Sequence, residues 1–403
     1  MEKSLKCPVN KRCGSCTLLQ VPYEKQLENK TLRMRELLEE FCEVKPIIGM
    51  EDPLYYRNKV HHVFGFSKKG ILSGSYKADS HHLVNIDHCF IEDKESQEII
   101  HTIRDLVKSF KITIYDEDTG YGTFRHVLVR RGFYTGEIMV VLVMADPVFP
   151  GKNNFIKALL KKHPAVTTII QNINNRDTSM VLGKTNKTLY GPGFIKDRLA
   201  DCVFRISPAS FYQVNSLQAE VLYRKAAEFA SLSGKETVVD AYCGVGTIGL
   251  SVAKRAKQVI GVELNPDAVK DAIINARENK IENARFYARD AGDFLTEMAA
   301  RKERADVVIL DPPRSGSTEK FLKAVDSVSP KRIVYVSCEP ETLKRDLVFL
   351  KKLGWQAMKI QPVDMFPFTE NIECCVLLER MSNRKAEKCM SAACSHKSGT
   401  LTQ

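Results

Sequence analysis

Two α/β parts in one chain are what the sequence predicts. A mixed, mostly antiparallel β domain over residues 1–206 precedes a doubly wound domain with a seven-stranded sheet over residues 207–381. Three observations carry this. From Ser207 onward, apolar runs alternate with amphipathic stretches of helical period, the pattern of a parallel sheet covered by helices on both faces. From Arg57 to about Val203, short runs rich in β-branched residues follow one another between Gly, Asn and Asp turn signals. A glycine-rich turn, CGVGTIG, joins the first strand of the later part to its helix.

The elements follow in chain order. Between Tyr23 and Cys42, Leu27, Met34, Leu37, Leu38 and Phe41 fall near helical spacing with charges opposite, which reads as one surface helix. RNKVHHVFGF, RHVLVRRG, GEIMVVLVMA and VTTIIQNI are the strands of the middle domain. In the later part ETVVDAY, QVIGVEL, ADVVILD and RIVYVS are parallel strands separated by helices. WQAMKIQPVDM and NIECCVLLER are joined by the FPFTE turn region alone and are expected to form an antiparallel hairpin at the sheet's edge. Residues 382–403 are polar, small and aperiodic, and are expected to be disordered.

Composition narrows the function. Hydrophobic residues make up 44% of the chain and charged ones 27%, close to a soluble globular average. The longest apolar run, Ile138 to Ala145, is far shorter than the roughly 20 residues of a membrane helix. The first residues hold no apolar core such as a secretory signal carries, so a cytoplasmic protein is expected. Twelve cysteines in a reducing compartment then point to metal ligands, catalytic thiols or small core residues before disulfides. Sixty Lys and Arg against 49 Asp and Glu leave a net charge of +11, which makes nucleic acid the first partner to test. No membrane association and no obligate protein partner are evident.

VVDAYCGVGTIGL runs from an apolar strand ending in an acid, Asp240, into a loop with Gly244, Gly246 and Gly249. Glycines there let a ligand approach the backbone. Glu263, 23 positions after Asp240, ends the next strand and suits a ribose diol. The spacing fits a nucleoside cofactor. The D-x-x-C-G-x-G form, followed by VELN and by DPPR at Asp311 to Arg314, suits a methyl donor better than a dinucleotide pyrophosphate.

Cys338 ends the strand RIVYVS at the carboxyl edge of the sheet, where open α/β folds bind ligands. Its surroundings, SCEPETLKRD, are a polar loop, unlike the packing of a buried structural cysteine. The segment Asp364 to Glu373 places a carboxylate after a turn at the same edge.

Together SCEPETLKRD, DPPRSG, SFYQVN, DAYCGVGTIGL and DMFPFTENIE resemble the RNA uracil-5 methyltransferase family, the TrmA and RlmD class, which makes 5-methyluridine in tRNA or ribosomal RNA. The resemblance covers about Cys7 to Arg380. It implies a Rossmann-like methyltransferase domain with Cys338 as nucleophile and Glu373 as general base. It further implies that Gln213, Tyr242, Glu263 and Asp311 line an S-adenosylmethionine site, to which Gly244, Gly246 and Asp290 are added. Carbon 5 of uracil is too weak a nucleophile to take a methyl group directly. A thiolate therefore first adds to carbon 6, and after methyl transfer a carboxylate removes the carbon 5 proton so that the thiol can leave. One departure stands out: the family usually carries His two positions before the base, and this chain has Asn371. Arg314 after D-P-P also departs from the aromatic residue common in amino-group methyltransferases, so an exocyclic amine is disfavoured as target.

Cys7, Cys13 and Cys16 form C-x5-C-x2-C, and Cys89 is a fourth candidate ligand. Spacing alone leaves zinc and an iron-sulfur cluster equally open. The resembled family implies a 4Fe-4S cluster in the β domain. Cys389, Cys394 and His396 are left unassigned. Lys59, His61, His62, Lys68, Lys69, Arg125, Arg130 and Arg131 interleave with the middle strands, and Arg125 with Arg131 is expected on one phosphate-facing surface. Only six residues precede Cys7, so the small amino-terminal RNA-binding barrel of some relatives (TRAM) is expected to be absent. Ribosomal RNA, 23S in particular, is favoured over tRNA because the cysteine arrangement resembles the ribosomal branch. The competing readings are a non-catalytic iron-sulfur RNA-binding protein and a nucleotide-dependent oxidoreductase.

Overall fold

The computed structural model describes residues 5–68, 70–77, 80–176 and 180–380. Two short elements open the chain, α1 (Asn10–Cys13) and α2 (Tyr23–Leu38). The middle part contains β1 (Lys59–Ser67), β2 (Gly70–Tyr76), β3 (Leu83–Asn85), α3 (Lys94–Ser109), β4 (Phe124–Arg131), β5 (Ile138–Met144), α4 (Lys152–Lys162), β6 (Val166–Ile173) and β7 (Thr185–Tyr190). They form one seven-stranded sheet in the order β3-β2-β1-β4-β5-β6-β7. All its ladders are antiparallel except β5 with β6, which α4 connects. The mixed, mostly antiparallel reading holds. A ribbon of β8 (Ile195–Leu199) and β9 (Cys202–Ile206) then leads into the later part.

That part alternates as expected: α5 (Ser216–Ala230), β10 (Thr237–Ala241), α6 (Thr247–Ala253), β11 (Gln258–Glu263), α7 (Pro266–Glu278), β12 (Ala284–Ala288), α8 (Ala291–Ala300), β13 (Val307–Leu310), α9 (Glu319–Ser327), β14 (Arg332–Ser337), α10 (Pro340–Lys352), β15 (Trp355–Val363) and β16 (Glu373–Arg380). The sheet order is β12-β11-β10-β13-β14-β16-β15. β16 slots antiparallel between β14 and β15, so the last strand of the chain lies inside the sheet and β15 forms the edge. Residues 44–48 lie along that edge: Lys45 donates its N–H to the Ile360 carbonyl at 3.1 Å, and Ile48 to that of Pro362 at 3.1 Å.

The two sheets share a core. Leu128, Met139, Val141 and Ile170 of the middle sheet join one apolar cluster with β8, β9, α5 and the strands β10 and β13. The opposite face of β4, β5 and β6 packs on α3 and α4. Strands covered on both sides read as continuous apolar runs, which explains GEIMVVLVMA. The amino-terminal helix also crosses to the later part, where Met34 and Leu38 join Val44, Ile47, Val239 and Trp355.

This packing overturns the expected phosphate-facing pair of Arg125 and Arg131, while Lys68 of the same basic set stays exposed. Arg125 is 4% exposed. Its guanidinium donates to the carbonyls of Asn174 and Arg176, each at 2.9 Å. A register irregularity between Phe124 and His126 further breaks the simple alternation. Arg131 is half-buried against Asp93 and Glu95, at 3.4 and 3.3 Å. Arg130 is buried and donates to the Ser210 carbonyl at 3.0 Å. Charges beneath a second packed layer serve that layer and are withheld from phosphate. Lys69 and residues 382–403, with Cys389, Cys394 and His396, lie outside the described residues. Among the described residues no helix is long and apolar enough to cross a membrane.

Candidate active site

The carboxyl ends of β10, β11, β13 and β14 converge on one side of the later sheet. Asp240, next to last in β10, is 1% exposed, and its Oδ2 accepts the Gly249 N–H at 2.7 Å. A Cβ at Gly249 would stand 2.7 Å from that same oxygen, so glycine is needed for the helix to meet the strand. Tyr242, Gly244 and Gly246 all have left-handed φ, at 64°, 55° and 83°. The turn thereby folds back sharply, and above Gly244 there is open space. The Glu263 carboxylate accepts the N–H groups of Gly244 at 3.1 Å and Asn265 at 2.8 Å, which fixes it beside the turn. Asp290 is exposed and caps α8 by accepting the Asp293 N–H at 2.9 Å; its charge also reaches the Tyr242 hydroxyl.

Asp311 follows β13 at the same edge, and burial pushes its carboxyl up to about 7. Gln213 is buried and in hydrogen-bonding contact with the Tyr223 hydroxyl of α5. That hydroxyl also accepts from Thr247 at 3.3 Å, and it feels the charges of Asp311 and Glu373. Tyr223 thus links the donor-side residues to the expected base.

Cys338 and Glu373 are brought together by strand register. Val336 pairs with Cys375 and Ser337 with Cys374, so the next residues along the ladder are Cys338 and Glu373. Directly opposed residues have Cβ atoms about 5 Å apart. Burial and the charges of Glu373 and Asp311 push the Cys338 thiol up to about 11, with Arg314 opposing. Glu373 is 4% exposed, and burial with the Asp311 charge pushes its carboxyl up to about 8, again opposed by Arg314. The positive charge of Arg314 thus acts on both groups. Its loop is clamped by α10: Thr342 donates to the Arg314 carbonyl at 3.1 Å, and Asp346 accepts the Ser317 N–H at 2.7 Å.

The four expected metal cysteines also come together. Cys7, Cys13, Cys16 and Cys89 line one cavity of about 190 Å³ between α1 and the start of α3. Gly14, at φ 71°, ends α1 and turns the chain toward Cys16. Gln97 holds Cys89 from both sides, accepting its N–H at 2.8 Å and donating to its carbonyl at 2.9 Å. Burial and the neighbouring thiols push Cys16 up to about 12, and burial with Glu92 raises Cys89. All four are free thiols. Among the described residues no three His, Cys, Asp or Glu side chains are gathered tightly enough to hold a single metal ion.

Comparison with known proteins decides the family. The profile described as tRNA (Uracil-5-)-methyltransferase matches residues 181–381. An uncharacterized RNA methyltransferase of Halalkalibacterium halodurans is 43% identical over 378 residues, covering 93% of this chain and 82% of that protein. The chain belongs to the RNA uracil-5 methyltransferase family. A second RNA methyltransferase, from Clostridium tetani, is 41% identical over 94% of this chain and 83% of its own length. The crystal structure of Pyrococcus abyssi tRNA (uracil-54, C5)-methyltransferase in complex with S-adenosyl-L-homocysteine matches with a TM-score of 0.77 at 30% identity, covering 93% of this chain and 86% of that one.

Four residues at or near this methyltransferase site escaped the sequence reading as candidate site residues. Tyr223 lies in a helix whose apolar stripe hides it among core residues. Arg314 was visible only as a departure from another family. Lys30 and Gln26 stand on the same face of α2 as Met34 and Leu38. Two polar residues on an apolar stripe were the available signal.

Proposed function

We propose that this RNA methyltransferase transfers a methyl group from S-adenosylmethionine to carbon 5 of a uridine in 23S ribosomal RNA, with Cys338 as nucleophile and Glu373 as general base. The opposition of Cys338 and Glu373 across one ladder, beside the glycine turn, carries this reading. Cys338 adds to carbon 6, forming a carbon–sulfur bond and making carbon 5 nucleophilic. Bound S-adenosylmethionine supplies the electrophilic methyl group. Glu373 then takes the carbon 5 proton, and the carbon–sulfur bond breaks with its electron pair returning to sulfur, regenerating the thiolate that added. A carboxyl whose pKa sits near 8 is a stronger base than an ordinary carboxylate, which suits that step. Arg314 offsets the negative charge that collects on the two groups. Gln213, Tyr242, Gly244, Gly246, Glu263, Asp290 and Asp311 form the donor site.

Cys7, Cys13, Cys16 and Cys89 hold a 4Fe-4S cluster in this proposal. Their convergence on one cavity supports it, since a cubane takes four thiolates at the corners of a cage. The cluster supplies structure to the amino-terminal segment, and no step of the reaction passes through it. Residues 1–206 bear the RNA-contacting role and residues 207–381 the chemistry. A cytoplasmic setting goes with this proposal, since reducing conditions keep these cysteines available as ligands. Transfer RNA is the second reading, because the solved relative acts on it.

Incubation with methyl-labelled S-adenosylmethionine and transcripts of 23S ribosomal RNA and tRNA tests this. Labelled 5-methyluridine in the ribosomal transcript is expected. Label in tRNA alone would establish the second reading, and label in a different base would refute uridine methylation.

A further inference from the structure

Lys30 lies buried in α2 and has no part in the chemistry above. Its side chain is 4% exposed, and its ammonium lies 2.6 Å from the carboxylate of Asp364, which is fully buried. It also donates to the Phe366 carbonyl at 3.3 Å. Tyr23, on the same helix, donates to the second Asp364 oxygen at 2.8 Å. Burial lowers the Lys30 ammonium and Asp364 opposes that, as expected of a charge kept dry by its partner.

What this pair anchors is the approach to Glu373. Residues 364–372 contain neither helix nor strand, so regular backbone pairing does not hold them. The amino-terminal segment does so instead. Gln26 accepts the Phe368 N–H at 2.9 Å, Leu18 donates its N–H to the Phe368 carbonyl at 3.0 Å, and Arg33 donates to that of Glu370 at 3.2 Å. Phe368 itself sits at φ 66°, a conformation an isolated loop would rarely keep. Cys338 lies just past β14, in the turn where the Glu339 N–H donates to the Ser337 hydroxyl at 3.2 Å, whereas Glu373 opens β16 opposite Val363 and is approached through the 364–372 loop.

We propose that Lys30 is a positioning residue for Glu373: by tying Asp364 and the Phe366 carbonyl to α2, it fixes the loop that presents the general base opposite Cys338. This rests on the reading of Glu373 as base. Loosening the loop displaces the base while the nucleophile stays in place, so addition and methyl transfer survive and proton removal slows. A displacement of 1 Å at a reacting group costs up to about a hundredfold in rate.

The experiment compares Lys30→Met with the double variant Lys30→Met, Asp364→Leu. The double variant replaces the whole buried pair with apolar groups of similar volume, a change that usually keeps a fold intact. Each folded variant is given 5-fluorouridine RNA, which traps the Cys338 adduct without needing a base, and ordinary RNA. Trapping at the wild-type rate is expected, with kcat lowered about ten- to a hundredfold, kcat/KM for the donor unchanged and adduct accumulating on ordinary RNA. Wild-type kcat in the double variant would overturn the proposal, because the pair would then serve folding alone. Loss of 5-fluorouridine trapping in the folded double variant would overturn it too, by showing damage beyond the base. Failure of the underlying reading has a different signature: Glu373→Gln in an otherwise wild-type chain would release product without accumulating adduct.

Discussion

Cys338 stands opposite Glu373 across the β14–β16 ladder, one step past the last paired residues, Ser337 and Cys374. The relationship exists because the final strand inserts antiparallel beside β14. The thiol is half-buried and the carboxyl buried, and the charge of Glu373 helps raise the thiol.

Replacing Cys338 with Ala is expected to abolish turnover and leave S-adenosylmethionine binding within about twofold of wild type, since the donor turn belongs to β10 and β11. The wild type should form a stable covalent complex with 5-fluorouridine RNA, whose fluorine cannot leave as a proton, and Cys338→Ala should not. Turnover by the variant in a labelling assay would refute the nucleophile.

Glu373→Gln should still methylate, then stall as a covalent protein–RNA adduct on ordinary RNA. In the wild type, kcat is expected to rise with pH through about 8, because Glu373 must lose its proton before it can take the carbon 5 proton of the methylated adduct. A pH profile already flat from 6 to 9 would contradict this assignment.

Stability should move the other way. Glu373 keeps its proton in the folded chain up to about 8, against about 4.5 for an ordinary glutamate, and Asp240 and Asp311 keep theirs up to about 7. Between those limits the folded state binds more protons than the unfolded one. The contribution is complete below the ordinary values and is lost as pH rises through 7 to 8. Thermal melting temperature is therefore expected to fall from pH 5.5 to 8.5. Glu373→Gln should recover a few kcal/mol at the upper end. A melting temperature that climbs across this window would refute the buried protonated acids.

Anaerobically purified protein should be brown, with about four iron and four sulfide per chain. Cys89→Ser should lose iron and weaken RNA binding more than donor binding, because the thiol cavity lies outside the donor-binding sheet. Stoichiometric zinc without iron would refute the cluster, and an iron-free variant with unchanged RNA affinity would refute its structuring role.

The alternation of strand and helix after Ser207, the glycine turn and the strand-end positions of Cys338 and Glu373 were legible in the sequence. Each is a local signal, set by side-chain period or by the backbone freedom of a few residues. The basic surface was misread at Arg125 and Arg131 because period 2 reports which residues share a face, and never what covers that face. In the folded chain α3, α4, β8, β9 and α5 cover both faces of the middle strands.

By itself, then, the sequence determined the strand and helix order, the glycine turn from Asp240 to Gly249 and the strand-end positions of Cys338 and Glu373. Tertiary structure decided which of them meet. The place of β16 between β14 and β15 sets Cys338 against Glu373, and α2 reaches across more than three hundred residues of chain to hold Asp364. Such contacts depend on which apolar faces find each other in the collapsed chain. That choice is made by the total burial of distant segments, and no local window of sequence contains it.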